Sequence, residues 1–455
     1  MTSRRTLTRA AAAVAAAAAT GLAGCSVQSS TTASTGATAS TGATVSTGAT
    51  ATAGSPAPSA TASSRFGDAA PGVTASTVKI GIVYPDYASL AQYGLNINQG
   101  SFPHAYGALI AKINAAGGVD GRKIVPVYGE YSLLSPAAST QTCVQLTADD
   151  GVFAVLGTFE SDTQALCYAQ THKTAVVGSA LSNADYAQAQ APWFALDHGS
   201  DDAASAITAL SAGGRLAGKK VAVIALQQDE VSMNSSALPA LKAIGITPVA
   251  TAVITASTSD STALGTQVAV AAQKFQASGA NVVIIVGGLA TEYPPIEART
   301  TYRPELMFTS ASDATAGTVS SKADPAVFKN ALAADVATDF NDPANQACIQ
   351  TMEAAYPSLK GKLVNPTTVK SGQPTLATSV DDACSELGLF TAIAGKAGTN
   401  LNYDTFQQAG ASLGKIHIPG YTDDANFTPS TPYGGFSDVL FTFDPSTSQF
   451  VQQSS

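Results

Sequence analysis

Five cysteines and four histidines are the side chains of this 455-residue sequence best suited to covalent or metal chemistry, and their spacing excludes most of it. No two cysteines form a CxxC pair, and His104, His172, His198 and His417 are scattered without an HExxH pattern, so no metal centre is expected. The sequence offers no strand–serine–helix nucleophile elbow, no phosphate loop and no credible Ser/His/Asp set. Gly287-Gly288 is too short to cradle a phosphate. The chain therefore reads as a non-enzyme without a cofactor. Charge narrows the partners further. A formal net charge of −9 with no basic stripe argues against nucleic acid and against an anionic membrane surface.

The remaining chemistry is at the N-terminus. Arg4, Arg5 and Arg9 precede an apolar run, Ala10 to Ala19, and then Leu22-Ala23-Gly24-Cys25. A positive start, a short apolar core and small residues before a cut mark an export signal. The run is too short to span a bilayer comfortably. Its ending resembles the bacterial lipobox, which implies that Cys25 is lipidated and becomes the first mature residue. Ser3 to Leu7 also weakly resembles a twin-arginine signal, so the export route stays open. Without the three arginines the mature chain is still acidic, near −12. Ser26 to Ser64 is low-complexity, with Ser-Thr-Gly-Ala-Thr recurring from Ser34, Ser40 and Ser46. Such a segment lacks the apolar surface to offset its chain entropy and is expected to be a disordered tether with a span of about 35 Å. Its Ser/Thr content also fits a glycosylated stalk.

From Thr77 the pattern changes to short apolar strands alternating with helices. Strands are expected at Val78–Val83, Ile124–Tyr128, Phe153–Leu156, Ala175–Val177, Lys220–Leu226, Thr247–Val253 and Asn281–Val286. Helices are expected at Ser101–Ala115, Ala137–Asp149, Ser235–Ala243 and Ser261–Ala277, and later at Asn345–Ala355 and Asp381–Ala397. Nearly continuous apolar strands between helices are what parallel sheets covered on both faces require. The expected architecture is two doubly wound α/β lobes. Trp193, the sole tryptophan, belongs to the core. Cys143 and Cys167 fall on helices flanking one strand and are expected to pair. Cys348 and Cys384, both in the late helical region, form the second expected bridge.

Three stretches together are recognisable: Val78-Lys79-Ile80-Gly81-Ile82-Val83, then Ala91-Gln92-Tyr93-Gly94, then the run from Ile113 to Ile124, INAAGGVDGRKI. They closely resemble the opening of type I periplasmic binding proteins, nearest to the leucine/isoleucine/valine-binding family. The resemblance implies two parallel-sheet lobes joined by a three-strand hinge, with a ligand buried between them. It places lobe 1 at 76–199 and 340–433 and lobe 2 at 200–339 and 434–455, after a signal at 1–25 and a tether at 26–75. The ligand carboxylate would meet the loop Gly157 to Thr163, where Ser161 matches the family's binding serine and a helix start adds unpaired N–H groups. Ser161 would alternatively only cap that helix. In the next loop Ser182 would offer a hydroxyl and Ala180 its backbone, and Tyr93 would line the pocket. Asp313 would hold a ligand ammonium. The second lobe departs from the family at Leu226 to Val231 and Leu289 to Thr291, which lack its usual aromatics. Amides, short peptides and aromatic or carboxylic metabolites thus stand beside branched-chain amino acids as ligands.

The function implied is the extracytoplasmic, membrane-anchored capture component of an ABC importer for a small polar solute. It would be monomeric, with the transporter's permease subunits as its protein partners. The alternative is a ligand-sensing receptor domain of the same fold.

Overall fold

The structure is a computed structural model that describes residues 65–453, apart from 94–96, 160–161, 200–201, 257–259, 322–323, 325 and 371–372. Cys25 and the Ser/Thr-rich repeat lie outside the described residues, as does Ser161. Two sheets organise the rest. The first has the order β2-β1-β3-β4-β5, all parallel, built from β1 (Thr77–Pro85), β2 (Lys123–Tyr131), β3 (Ala154–Gly157), β4 (Ala175–Val177) and β5 (Trp193–Phe194). The second has the order β14-β13-β10-β9-β8-β6-β7. Its strands are β6 (Val221–Leu226), β7 (Ala250–Ile254), β8 (Val282–Val286), β9 (Glu305–Phe308), β10 (Leu332–Val336), β13 (Asp438–Asp444) and β14 (Gln449–Gln452). β6 to β10 are parallel, and the hairpin β13-β14 closes one edge antiparallel.

Both faces of each sheet are covered, which is why the strands read as unbroken apolar runs. Ile80 and Ile82 of β1, with Ala154 and Leu156 of β3, face one core. Val83, Val155 and Val176 face the opposite one. The second sheet alternates likewise, Ile224 and Ile285 to one side and Val223 and Ile284 to the other. Each such side chain contributes about 1.5–3 kcal/mol on leaving water. Helices α1 (Phe102–Ala115), α10 (Pro343–Ala355), α11 (Thr378–Ala397) and α12 (Tyr403–Ala411) cover one face of the first sheet. Its other face carries α2 (Pro136–Val144), α3 (Asp162–Leu166) and α4 (Asn183–Gln188). The second lobe holds α5 (Asp202–Ser211), α6 (Leu238–Ala243), α7 (Ser261–Ala277), α8 (Tyr293–Glu297) and α9 (Ala311–Ser320). Trp193 is fully buried, and its indole N–H donates to the Gly178 carbonyl. One strand starts later than expected: β7 begins at Ala250, after Pro248, which has no N–H to give a ladder.

The chain passes between the lobes three times, between β5 and α5, between β10 and α10, and between the small hairpin β11-β12 (Gly414–Ile416, Ala425–Phe427) and β13. The first and third crossings are laced together by Ala195 N–H, which donates to Pro432 O at 3.0 Å, and the second is held to the turn between β11 and β12, where Thr338 pairs with Tyr421 and Asp339 N–H donates to Gly420 O at 2.8 Å.

Both cysteine pairs are joined, Cys143 to Cys167 across α2 and the turn after α3, and Cys348 to Cys384 between α10 and α11. At the start of the described chain, Arg65 donates to the carbonyls of Tyr186, Ala187 and Ala189 at 3.0, 2.8 and 2.7 Å, capping the C-terminal end of α4 with a cation. Non-reducing peptide mapping should recover these two disulfides, and removing either should cost about 2–4 kcal/mol in urea denaturation. Arg65→Ala should cost about 1–2 kcal/mol by the same measurement, whereas deletion of the residues before Ser64 should leave stability unchanged.

Candidate functional site

The C-terminal ends of the first sheet's strands carry a buried acid. β3 ends at Gly157 and β4 is followed by Gly178, with φ of 118° and 121°. A Cβ on Gly157 would lie 2.0 Å from Val83 O, and one on Gly178 would lie 2.8 Å from Glu386 Oε1. Glycine at 157 lets β3 end this close to β1, and glycine at 178 lets Glu386 of α11 approach. Glu386 Oε2 accepts from Gly157 N–H at 2.6 Å and from the Tyr106 hydroxyl at 2.5 Å. One turn earlier on α11, Asp382 meets the Thr158 side chain, and Asp381 accepts from Asn345 Nδ2 at 2.9 Å.

Burial pushes the Glu386 carboxyl up to about 8, against the hydrogen bonds from Tyr106 and Gly157 and with help from Asp382. Asp382 rises to about 7 through burial and the neighbouring Asp381, and Asp381 to about 6 through burial. Asp342, at the start of α10, is the contrast. Burial would raise it too, but N–H groups of Asn345 and Gly420 and the His417 ring hold it below its ordinary value. Among the described residues, no lysine, arginine or histidine pairs with Asp381, Asp382 or Glu386. Tyr421, in the turn between β11 and β12, stacks on Phe436 of the third crossing with ring centroids 4.5 Å apart. Burial raises its phenol, as do Asp197, Asp382 and Glu386 from the first lobe and Asp335 from β10. The acid-bearing ends of both sheets therefore converge on one ring. Beside it is a cavity of about 450 Å³, whose walls include Asn345, Asp381, Asp382, Ser385, Tyr421 and Gln452.

The second lobe presents its own acids at the ends of β6, β8 and β9. Asp229 accepts from Gly288 N–H at 3.1 Å, yet burial lifts it to about 6, with Asp313 adding to the rise. Asp313, in the first turn of α9, is raised by burial. The segment Leu226 to Val231, without the family's aromatic, thus contributes the carboxyl of Asp229, which acts together with Asp313.

The residues expected at the site fare differently. Ser182 is 1% exposed and caps α4: Oγ accepts from Asp185 N–H at 3.1 Å and donates to Asp185 Oδ2 at 2.6 Å. Its proton is thus used within its own turn. Ala180 bridges to Asp197 on the first crossing. Tyr93 ends the 3-10 turn Ala88–Tyr93 that follows β1. Asp313 stands beside Asp229, a partner not anticipated. Asp381, Asp382, Glu386, Asn345 and Tyr421 were not anticipated either. The available signal was Asp382 and Glu386 at i, i+4 in a helix that has no basic residue before Lys396. Gly410 to Gly414 has GxSxG spacing, but Ser412 follows the end of α12 and donates to Gln408 O at 2.6 Å, so it is no strand-to-helix elbow.

Two parallel-sheet lobes, three crossings and a polar cleft at the strand ends define a binding protein of the two-lobed periplasmic type. The chain belongs to the periplasmic binding protein family, whose sequence model matches residues 77–372. That family binds solutes outside the cytoplasm, and among the described residues no helix is long and apolar enough to cross a membrane. Solved structures share the fold. An ABC transporter substrate-binding protein from Desulfitobacterium hafniense in complex with Leu is 17% identical, with a TM-score of 0.57 over 83% of this chain and 100% of that one. A fatty acid ABC transporter substrate-binding protein from Thermomonospora curvata is 18% identical, with a TM-score of 0.54 over 85% and 94%. A solute-binding protein from R. palustris in complex with 4-hydroxybenzoate is 16% identical, with a TM-score of 0.56 over 84% and 96%. No curated protein matches the chain.

Each raised acid holds its proton more tightly in the folded chain than in the unfolded one. Folding therefore takes up protons above the ordinary carboxylate range of about 4–4.5, and stability falls as pH rises through that window. For Glu386 the decline runs up to about 8 and then levels. Thermal melts from pH 4.5 to 8.5 should show falling stability, and Glu386→Gln should flatten the upper part of that slope.

Proposed function

We propose that this chain is the solute-capturing component of an ABC importer, held at the outer face of the membrane through lipidated Cys25. Its cargo is a small polar solute, amino-acid-like or carboxylate-bearing, enclosed between the lobes. One observation carries this reading: polar groups from both lobes gather around Tyr421, in a turn paired with the second crossing. Capture then works by closure. A solute first meets the strand-end loops of one lobe, with Ser161, Ala180, Ser182 and Tyr93 as contacts there, and the second lobe folds over it with Asp313. Closure excludes water, so each hydrogen bond acts in a drier, less polarisable cleft and counts for more. The closed shape is what permease subunits recognise, and a monomer suffices for that.

Loss of the chain should abolish uptake of one class of solute by cells. Unchanged uptake with a lost cellular response to that solute would instead identify a receptor. Cys25→Ala should move the protein from the membrane fraction to the medium without changing its affinity. Ser161→Ala should weaken binding about ten- to a hundredfold in titration calorimetry, while stability falls by no more than a lost helix cap, about 1 kcal/mol.

A further inference from the structure

The cavity beside Tyr421 has a wall of acceptors without a matching cation. Asp381 and Asp382 lie on one turn of α11, and Ser385 turns its hydroxyl away, donating to Asp382 O at 3.1 Å. Asn345 faces them from α10 and is 1% exposed. Its Nδ2 donates to Phe340 O at 3.1 Å and to Asp381 Oδ1 at 2.9 Å, while its Oδ1 has no hydrogen-bond partner. Reversing the amide would set its oxygen against that carbonyl and that carboxylate, so the bonds identify Oδ1 as the free atom. Oδ1 lies toward Gly420, another residue of the cavity wall, 3.9 Å from where a Cβ would stand. A buried acceptor without a donor costs free energy until a donor arrives.

The surrounding groups give the sign of the missing charge. Asp197, Asp335, Asp382 and Glu386 all act on Tyr421. The nearby histidine, His417, is engaged with Asp342 at 3.0 Å. A cation entering here favours the ionised form of these acids and would satisfy three acceptors at once, whereas an anion would oppose their ionisation. A volume of about 450 Å³ suits a small organic ion.

We infer that this cavity receives a positively charged nitrogen group of the solute, an ammonium or guanidinium held by Asp382, Asp381 and Asn345 Oδ1. The inference rests on the solute-binding reading above and narrows it: the cargo carries an organic cation at the end that meets α11. Asp382 takes the largest share of its charge, because its other polar contact is the neutral Thr158 side chain.

The test uses the full chain in thermal melts with 1,4-diaminobutane, agmatine and arginine, set beside leucine, succinate, 4-hydroxybenzoate and the chlorides of magnesium and calcium. At least one of the three organic cations should raise the melting temperature. Calorimetry with that cation should show Asp382→Asn and Asn345→Ser each weakening binding about ten- to a hundredfold. Asp149→Asn, which removes an exposed acid elsewhere, should leave affinity unchanged. Equal affinity in a folded Asp382→Asn protein overturns the assignment, as does a response to the metal chlorides alone. If leucine, succinate or 4-hydroxybenzoate binds and the organic cations do not, the cationic assignment falls and the solute-binding reading stands. If nothing in the panel binds, both fall.

Discussion

A strand buried on both faces can expose polar groups only at its ends, and this constraint shapes the whole molecule. β1, β3, β4, β6 and β8 are lined by apolar side chains above and below. Polar recognition must therefore gather where strands hand over to helices. The glycine after β4 follows from it, since α11 could not bring Glu386 against Gly178 past a Cβ, and Gly157 at the end of β3 gives its N–H to the same carboxylate. The acids of both lobes follow as well, because strand ends supply the N–H groups that make a buried carboxyl tolerable.

Much of this was legible in the sequence because it rests on local patterns. The apolar runs give parallel strands directly, and INAAGGVDGRKI gives a helix end and a turn into β2, which the structure realises with Val119 bridging Arg122. The antiparallel hairpin β13-β14 was not legible, because its residues alternate between half-buried and buried at a sheet edge and carry no continuous apolar signal. The site was less legible than the fold. Ser182 reads as a ligand hydroxyl, and the structure adds what the sequence could not show, a cap bonded to Asp185 in its own turn. Glu386 was hidden for the opposite reason. A glutamate inside a helix ordinarily reads as a solvated surface residue, and only the approach of Gly157 and Gly178, more than 200 residues earlier, reveals otherwise.

The acids also differ in what the fold provides for them. Asp342 is supplied with two backbone N–H groups and a histidine. Asp381 and Asp382 are left with one amide and one hydroxyl. Asn345 takes part in both surroundings, donating its backbone N–H to Asp342 and its side-chain amide to Asp381. Native proteins tolerate such incomplete satisfaction mainly where binding later completes it.

The bridge between Cys348 and Cys384 gains a further meaning from its position. Asn345 lies three residues before Cys348 on α10, and Asp381 three before Cys384 on α11, so the bond fixes the axial register of the two side chains that face each other one turn away. Helices packed side by side can slide past one another by small shear steps, and that freedom is one of the two common ways for a protein to close around a ligand. Here the covalent link removes it from this helix pair. A rotation about the three crossings would then carry α10 and α11 as one rigid jaw.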